Sequence, residues 1–286
     1  MTDRPSTAFR TPAGERVPAI TAEEMRHVDR VAVDDFGLPL AQMMEHAGRS
    51  LARVALASGA DRIVVLAGRG GNGGGGLACA RHLAARDRLA AVVCSRDPAS
   101  FSGAPATQLR LLERTDAPIV VPDGETTEND DGDPAADSAA AGGFAVVEDA
   151  ALTRADLVVD ALIGYGLSGP PRGVDAALIA AANGAAAPVV SLDVPSGLDA
   201  STGATPGVAI EPTRTVTLAL PKTGLAADTR PGAADTAGAT RESDSALTAG
   251  LVLADLGIPP AVYAHADIPY EHPFGDRFVV ALEPTD

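Results

Sequence analysis

Residues 63–83 read IVVLAGRGGNGGGGLACARHL: five apolar residues, a run of glycines, then a segment of helical character. A short uninterrupted apolar run fits a strand buried on both faces, as in a parallel sheet. Gly68, Gly70 and Gly73 formally satisfy G-x-G-x-x-G. Glycine permits positive φ and close backbone approach, and the N-terminus of a following helix attracts anions. Taken alone, the motif is as compatible with a merely tight turn as with a phosphate cradle. No Gly-Lys-Ser/Thr follows, so this is not a Walker loop. After the next strand comes Cys94-Ser95-Arg96 and not the acidic residue that holds a ribose 2′-hydroxyl, which argues against a dinucleotide dehydrogenase.

The same rhythm recurs on both sides of this segment. Apolar runs fall at 90–94, 118–121, 157–161, 189–192, 215–220 and 251–253, with helical stretches near 77–86, 107–114 and 174–182. Strands alternating with helices predict a parallel sheet covered on both faces, in one domain. Two helices precede the first strand. One spans about 20–36, with Met25, Val28, Val31 and Ala32 at helical spacing and Thr21 as N-cap before Glu23 and Glu24. The other spans about 40–58, with Met43, Met44, Ala47, Leu51 and Val54 on one face. Residues 1–19 read as a loose leader with no signal-peptide pattern, 20–260 as the domain, and 261–286 as a C-terminal extension. Segments 122–143, with seven acidic residues and no basic one, and 228–248 read as solvated, flexible insertions.

Composition narrows the function. The formal net charge is −16 and the pI about 4.6, a surface that repels nucleic acid and anionic membranes. No apolar run reaches the roughly 18 residues of a membrane span. The expected setting is the cytoplasm. The acidic excess, with all but Lys222 of the 22 cationic residues being arginine, fits a protein adapted to high salt. Cys79 and Cys94 read as buried free thiols, and the five histidines show no metal-ligand spacing.

Two further loops follow strands. One strand ends in Asp160 and leads into Gly164, Gly166 and Gly169; another ends in Asp193 and leads into Pro195, Ser196 and Gly197. Ligands of open α/β sheets gather at the carboxyl ends of strands, where these loops converge with the first glycine run. Each aspartate is equally readable as a helix cap or turn residue, and Asp199 is better read that way. Lys222, in LPKTG at a strand end, suits a point contact to an anionic oxygen or a carboxylate.

Together the segments Met44-Glu45-His46-Ala47-Gly48, the glycine loop, DALIGYGLSGPPRG (160–173), DVPSGLDASTG (193–203), TVTLALPKTGL (215–225) and VLADLGIP (252–259), with Met25 and Asp29 in the opening helix, resemble the family of NAD(P)H-hydrate epimerases, the YjeF N-terminal domain. The resemblance covers roughly 20–122 and 151–258. It implies a three-layer αβα Rossmann-like fold with a mostly parallel central sheet, commonly dimeric. It also implies interconversion of the R and S epimers of hydrated NADH and NADPH (NADHX and NADPHX), a potassium ion, and a separate dehydratase that removes the added water. Carried over, the potassium ligands are Asn72, Asp160 and Ser196. The nucleotide site comprises Gly71, Asn72, Gly73, Gly74, Gly75, Gly164, Tyr165, Gly166, Leu167, Ser168, Gly169, Asp193 and Lys222. Asp193 would be the acid–base group. One departure stands out. The family loop reads G-N-N-G-G-D-G-L, whereas Gly71 and Gly75 here replace its first Asn and its Asp. That loss is what recommends a second reading, a catalytically silent nucleotide-binding paralogue acting as regulator or scaffold.

Overall fold

The computed structural model describes residues 8–121, 151–227 and 245–285. The expected insertion 122–143 lies outside the described residues, as does 228–244 of the second one. The chain opens with β1 (Ala8–Arg10) and β2 (Arg16–Pro18), an antiparallel hairpin. Phe9 and Val17 are fully buried in one cluster with Met25, Val28, Leu253 and Tyr263. Residues 8–18 are therefore not the loose leader expected. Two large apolar side chains at facing positions give this stretch a core of its own to join.

Helix α1 (Ala22–Arg30) starts at the anticipated cap. The Glu24 backbone N–H donates to Thr21 Oγ1 at 3.2 Å, and the Thr21 N–H donates to the Glu24 carboxylate at 2.8 Å, a reciprocal capping box. It ends sooner than its apolar spacing suggests and widens into a π-helical turn at Val31–Asp35. Helix α2 (Leu40–Ala57) follows, then β3 (Ile63–Ala67), α3 (Gly71–Ala84), β4 (Leu89–Cys94), α4 (Gly103–Glu113) and β5 (Ile119–Val120). Beyond the first undescribed segment come β6 (Leu157–Ala161), α5 (Gly173–Gly184), β7 (Val189–Leu192), β8 (Arg214–Leu218) and α6 (Thr223–Ala227). The chain closes with α7 (Ser245–Thr248), β9 (Leu251–Ala254), α8 (Pro260–His265), β10 (Val279–Ala281) and β11 (Glu283–Pro284).

Strands β3 to β10 form one eight-stranded sheet, ordered β10-β9-β8-β7-β6-β3-β4-β5, in which only β10 runs antiparallel. Alternate residues of β3 serve opposite faces. Ile63, Val65 and Ala67 pack with Leu51 of α2, Leu77 of α3 and Leu109 of α4, whereas Val64 and Leu66 pack with Leu178 and Ile179 of α5. Further along the sheet the second face is covered by α1 and the terminal segments, through Leu253, Val28 and Tyr263. The result is three layers. The segment expected as an appended extension is built in: Phe274, Val280 and Leu282 are buried, β10 edges the main sheet, and β11 pairs with β1 in a small three-stranded sheet. Chain order leaves β3 to one side for β4 and returns on the other with β6, so the crevice above β3 and β6 is the topological switch point.

The glycine run is helical. Helix α3 begins at Gly71 and not near Leu77, although glycine costs about 1 kcal/mol per helical position relative to alanine. Close packing outweighs that cost. A Cβ on Gly73 would stand 1.5 Å from the Gly68 carbonyl oxygen, and one on Gly76 would stand 2.5 Å from Ala161 Cβ. The first turns of α3 are pressed between the sheet and α2, which only a stretch without side chains allows.

Candidate active site

The carboxyl ends of β3, β6, β7 and β8 meet helix α1 and the start of α2 around a cavity of about 340 Å³. Its wall includes Gly70, Gly71, Asn72 and Gly75 from the first loop and Leu162 to Gly166 from the second. Asp193 and Lys222 come from the third and fourth, and Met25, Asp29, Met43 and Met44 from the helices.

Asp193 follows the last residue of β7 in a left-handed conformation, φ +68°, which aspartate tolerates better than most residues and which clusters at functional sites. Its carboxylate is 4% exposed and takes a bond of 2.5 Å from Lys222 Nζ. The other oxygen accepts the Tyr165 backbone N–H at 3.2 Å. After β8 the chain turns through Ala219, φ +60°, and aims the carbonyls of Leu218 and Leu220 at the same ammonium, at 2.9 and 3.1 Å. Lys222 thus has three acceptors for its three protons, an arrangement a compact ammonium satisfies and a planar guanidinium does not. Of the two partners its sequence context suggested, the carboxylate is the one it meets. Main-chain bonds between Ile20 and the 221–223 segment hold this loop in place, so the hairpin end of the chain supports the site.

Asp160, the fourth residue of β6, is fully buried. Its carboxylate accepts Ser191 Oγ at 2.8 Å, Ser196 N–H at 2.9 Å, Ser196 Oγ at 2.5 Å and Leu162 N–H at 3.2 Å. Every donor is neutral. Burial pushes this carboxyl up from its ordinary range, and the bonds from Ser196, Ser191 and Leu162 oppose the shift. Ser196 Oγ also accepts the Ile163 N–H at 2.8 Å, so Asp160 and Ser196 fix the second loop from below. Gly164 lies between the loops: a Cβ there would meet Asn72 Oδ1 at 3.1 Å and Asp193 Oδ2 at 3.2 Å. Both polar atoms of the Asn72 amide are buried without a hydrogen-bond partner. Buried amides are ordinarily satisfied, so this one points to a ligand or ion.

Of the residues expected at the nucleotide site, Gly71, Asn72, Gly75, Gly164, Tyr165, Gly166, Asp193 and Lys222 line the cavity. Gly73 and Gly74 face Gly68 and Met44 instead. Leu167, Ser168 and Gly169 lie beyond the cavity wall, with Ser168 and Gly169 exposed. Asp160 and Ser196 sit beneath it. Asp199 is a turn residue: its carboxylate accepts the N–H groups of Ser201 and Thr202 at 2.9 and 2.8 Å, and the bond from Thr202 holds it below the usual carboxylate range. Cys79 and Cys94 are buried free thiols. His46 and His82 are engaged with the Leu256 carbonyl and Glu45.

Asp29 is the residue whose role the sequence reading did not identify. It lines the cavity and accepts a short hydrogen bond from the Tyr165 hydroxyl. The signal was present: Asp29 is four residues after buried Met25, hence on the inward face of α1.

Residues 40–224 match the family described as YjeF-related protein N-terminus. An NAD(P)H-hydrate epimerase of Dehalogenimonas lykanthroporepellens is 39% identical, with 97% of this chain and 98% of that one covered. Another, from Limosilactobacillus fermentum, is 36% identical over 73% of this chain and 89% of its own. A bifunctional NAD(P)H-hydrate repair enzyme of Salinibacter ruber is 37% identical over 87% of this chain, which spans only 42% of that protein. The crystal structure of yeast ynu0 (YNL200c) shares the fold, with a TM-score of 0.65 at 20% identity and coverage of 93% and 99%. With the family match spanning most of the chain and a relative alike over nearly its whole length, this protein belongs to the YjeF-related N-terminus family, that of the NAD(P)H-hydrate epimerases.

Proposed function

We propose that the chain is an NAD(P)H-hydrate epimerase, interconverting the R and S forms of NADHX and NADPHX. The observation that carries this reading is the carboxylate of Asp193, open to the cavity yet locked by Lys222 beside an unpartnered Asn72. A proton-transfer group must be held within reach of its substrate in one orientation, and Lys222 with the Tyr165 N–H supplies that orientation. Met25, Met43, Met44 and Leu162 give an apolar enclosure suited to a hydrated ring. The backbone at the start of α3 suits the phosphates, because cradling by N–H groups and a helix N-terminus needs no side chain there.

A potassium ion belongs to the proposal. The donors that would hold it are Asn72 Oδ1, the Asp160 carboxylate and Ser196 Oγ, an all-oxygen set suited to a hard cation. The unpartnered Asn72 amide and a buried carboxylate with only neutral donors support that fit. Bound there, the ion would supply fixed positive charge near the nucleotide.

Gly75 keeps the silent-paralogue reading in play: it lines the cavity where the family loop carries a carboxylate. Wild-type protein given pure R-NADPHX, with and without potassium, separates the two. Formation of the S epimer supports the epimerase, whereas nucleotide binding without turnover supports the silent paralogue. Removal of the added water would fall to a partner dehydratase, and homodimerisation is expected with it. Among the described residues no helix is long and apolar enough to cross a membrane.

A further inference from the structure

Two carboxyl groups line the cavity, and the function just proposed employs one. Tyr165 joins them. Its backbone N–H bonds Asp193 and its hydroxyl bonds Asp29. Its ring lies 5.7 Å from the Arg26 guanidinium carbon and 5.8 Å from Lys222 Nζ, which pins the side chain between two cations. One tyrosine therefore spans the distance between the two carboxyl groups.

Their surroundings differ in charge. Asp193 touches an ammonium, whereas Asp29 has a neutral phenol as its donor. Burial pushes the Asp29 carboxyl up from its ordinary range and the Asp193 charge adds to this, while the Tyr165 bond and Lys222 oppose it. The other groups facing Asp29 are Arg26 on its own helix, beside the Tyr165 ring, and Tyr263 from α8. Carboxyl pairs in contrasting environments divide acid and base duties.

We propose that Asp29 is a second catalytic residue, the proton donor that complements Asp193 on the other face of the substrate ring. This rests on the epimerase reading. Water added to a dihydronicotinamide ring goes to the carbon bonded to the ring nitrogen, whose lone pair stabilises a cation there. Asp29 in its acid form gives its proton to that carbon's hydroxyl. The C–O bond breaks with its electron pair, water departs, and the nitrogen lone pair forms a flat C=N⁺. Water then adds from the opposite face and yields a proton to the Asp193 carboxylate. The product is the other epimer, with Asp29 ionised and Asp193 protonated. The proton taken up by Asp193 is then returned through solvent to Asp29 before the next turnover. Inverting glycosidases use two carboxyl groups on opposite faces of a sugar in this way.

The test follows pure R and S epimers in ¹⁸O-labelled water with wild type, Asp29→Asn and Tyr165→Phe. Wild type should incorporate one solvent oxygen per inversion, and its kcat for the epimer whose hydroxyl faces Asp29 should fall as rising pH ionises Asp29. Asp29→Asn should lower kcat in both directions by about 100-fold or more, leave KM little changed, and lose that pH limb. Tyr165→Phe removes a bond that favours ionised Asp29, so its limb should move to higher pH, a shift that a merely structural role would not produce. Wild-type kcat in Asp29→Asn, a loss confined to KM, an unmoved limb in Tyr165→Phe, or unlabelled product overturns the proposal alone. A wild type that leaves both epimers unchanged overturns the epimerase reading and this proposal with it.

Discussion

Asp160 and Asp193 stand at the carboxyl ends of neighbouring parallel strands, both buried, yet the fold gives them opposite tasks. Asp160 has four neutral donors on two oxygens, none of which brings a positive charge. Asp193 has one ammonium and one long backbone bond, leaving acceptor capacity turned toward the cavity. A carboxylate held by several neutral donors organises its loops and keeps its charge for a cation, while one held by a single ammonium turns its remaining acceptor capacity to the cavity. The difference arises where the chain turns. Asp160 lies within its strand and meets the Ser196 loop from below, whereas Asp193 stands just past its strand, rotated into the left-handed region toward the crevice.

The comparison breaks most directly at Asp193. Asp193→Asn should lower turnover by roughly 10²–10⁴-fold, the range for losing an acid–base group, and the protein should still fold because the amide oxygen can accept from Lys222. Initial rates and a melting curve check both halves. Near-wild-type turnover would remove Asp193 from the chemistry.

Asp160→Ala should act on the structure instead. Four buried donors lose their acceptor, so stability should drop by about 2–3 kcal/mol, with partial recovery in Asp160→Asn. Denaturant unfolding measures this, and the response to potassium should weaken in parallel. If activity in Asp160→Ala still rises with potassium as in wild type, Asp160 is no ion ligand.

The smallest effect is expected at the glycine loop. A Cβ on Gly71 meets nothing within 4 Å, whereas one on Gly75 would lie 2.7 Å from Leu192 Cδ2, the far end of a flexible side chain. The double variant Gly71→Asn, Gly75→Asp should fold. An acid near the first turn of α3 gains at most about 0.3–1 kcal/mol from the helix dipole, and turnover should stay near wild type. An inactive wild type rescued by the pair would instead mark the chain as a silent paralogue.

Much of this is legible in the linear sequence. The uninterrupted runs at 63–67, 157–161 and 189–192 are strands with those bounds, because a parallel strand covered on both faces needs apolar residues throughout. The Thr21 cap was equally plain, since capping depends on residues three apart in sequence. Asp160 and Asp193 stand out because each closes or follows an apolar run, and Lys222 because every other Lys/Arg position is arginine. Helix α3 shows where such reading stops: its first turns are glycine, and what stabilises them is the close approach of Gly68, Met44 and Ala161, none of it local.

The sequence by itself determined the layered α/β fold, the family, and which loops meet at the carboxyl ends of the strands, because period, turn residues and motif order are properties of the linear chain. Tertiary structure alone decided how those residues are held. It folded residues 8–18 and 261–285 into the core, directed Lys222 to Asp193, and left Asn72 without a protein partner. It also brought Asp29 of the first helix to the hydroxyl of Tyr165, 136 residues away. Contacts across such separations depend on how layers close over one another, and local spacing carries no record of that.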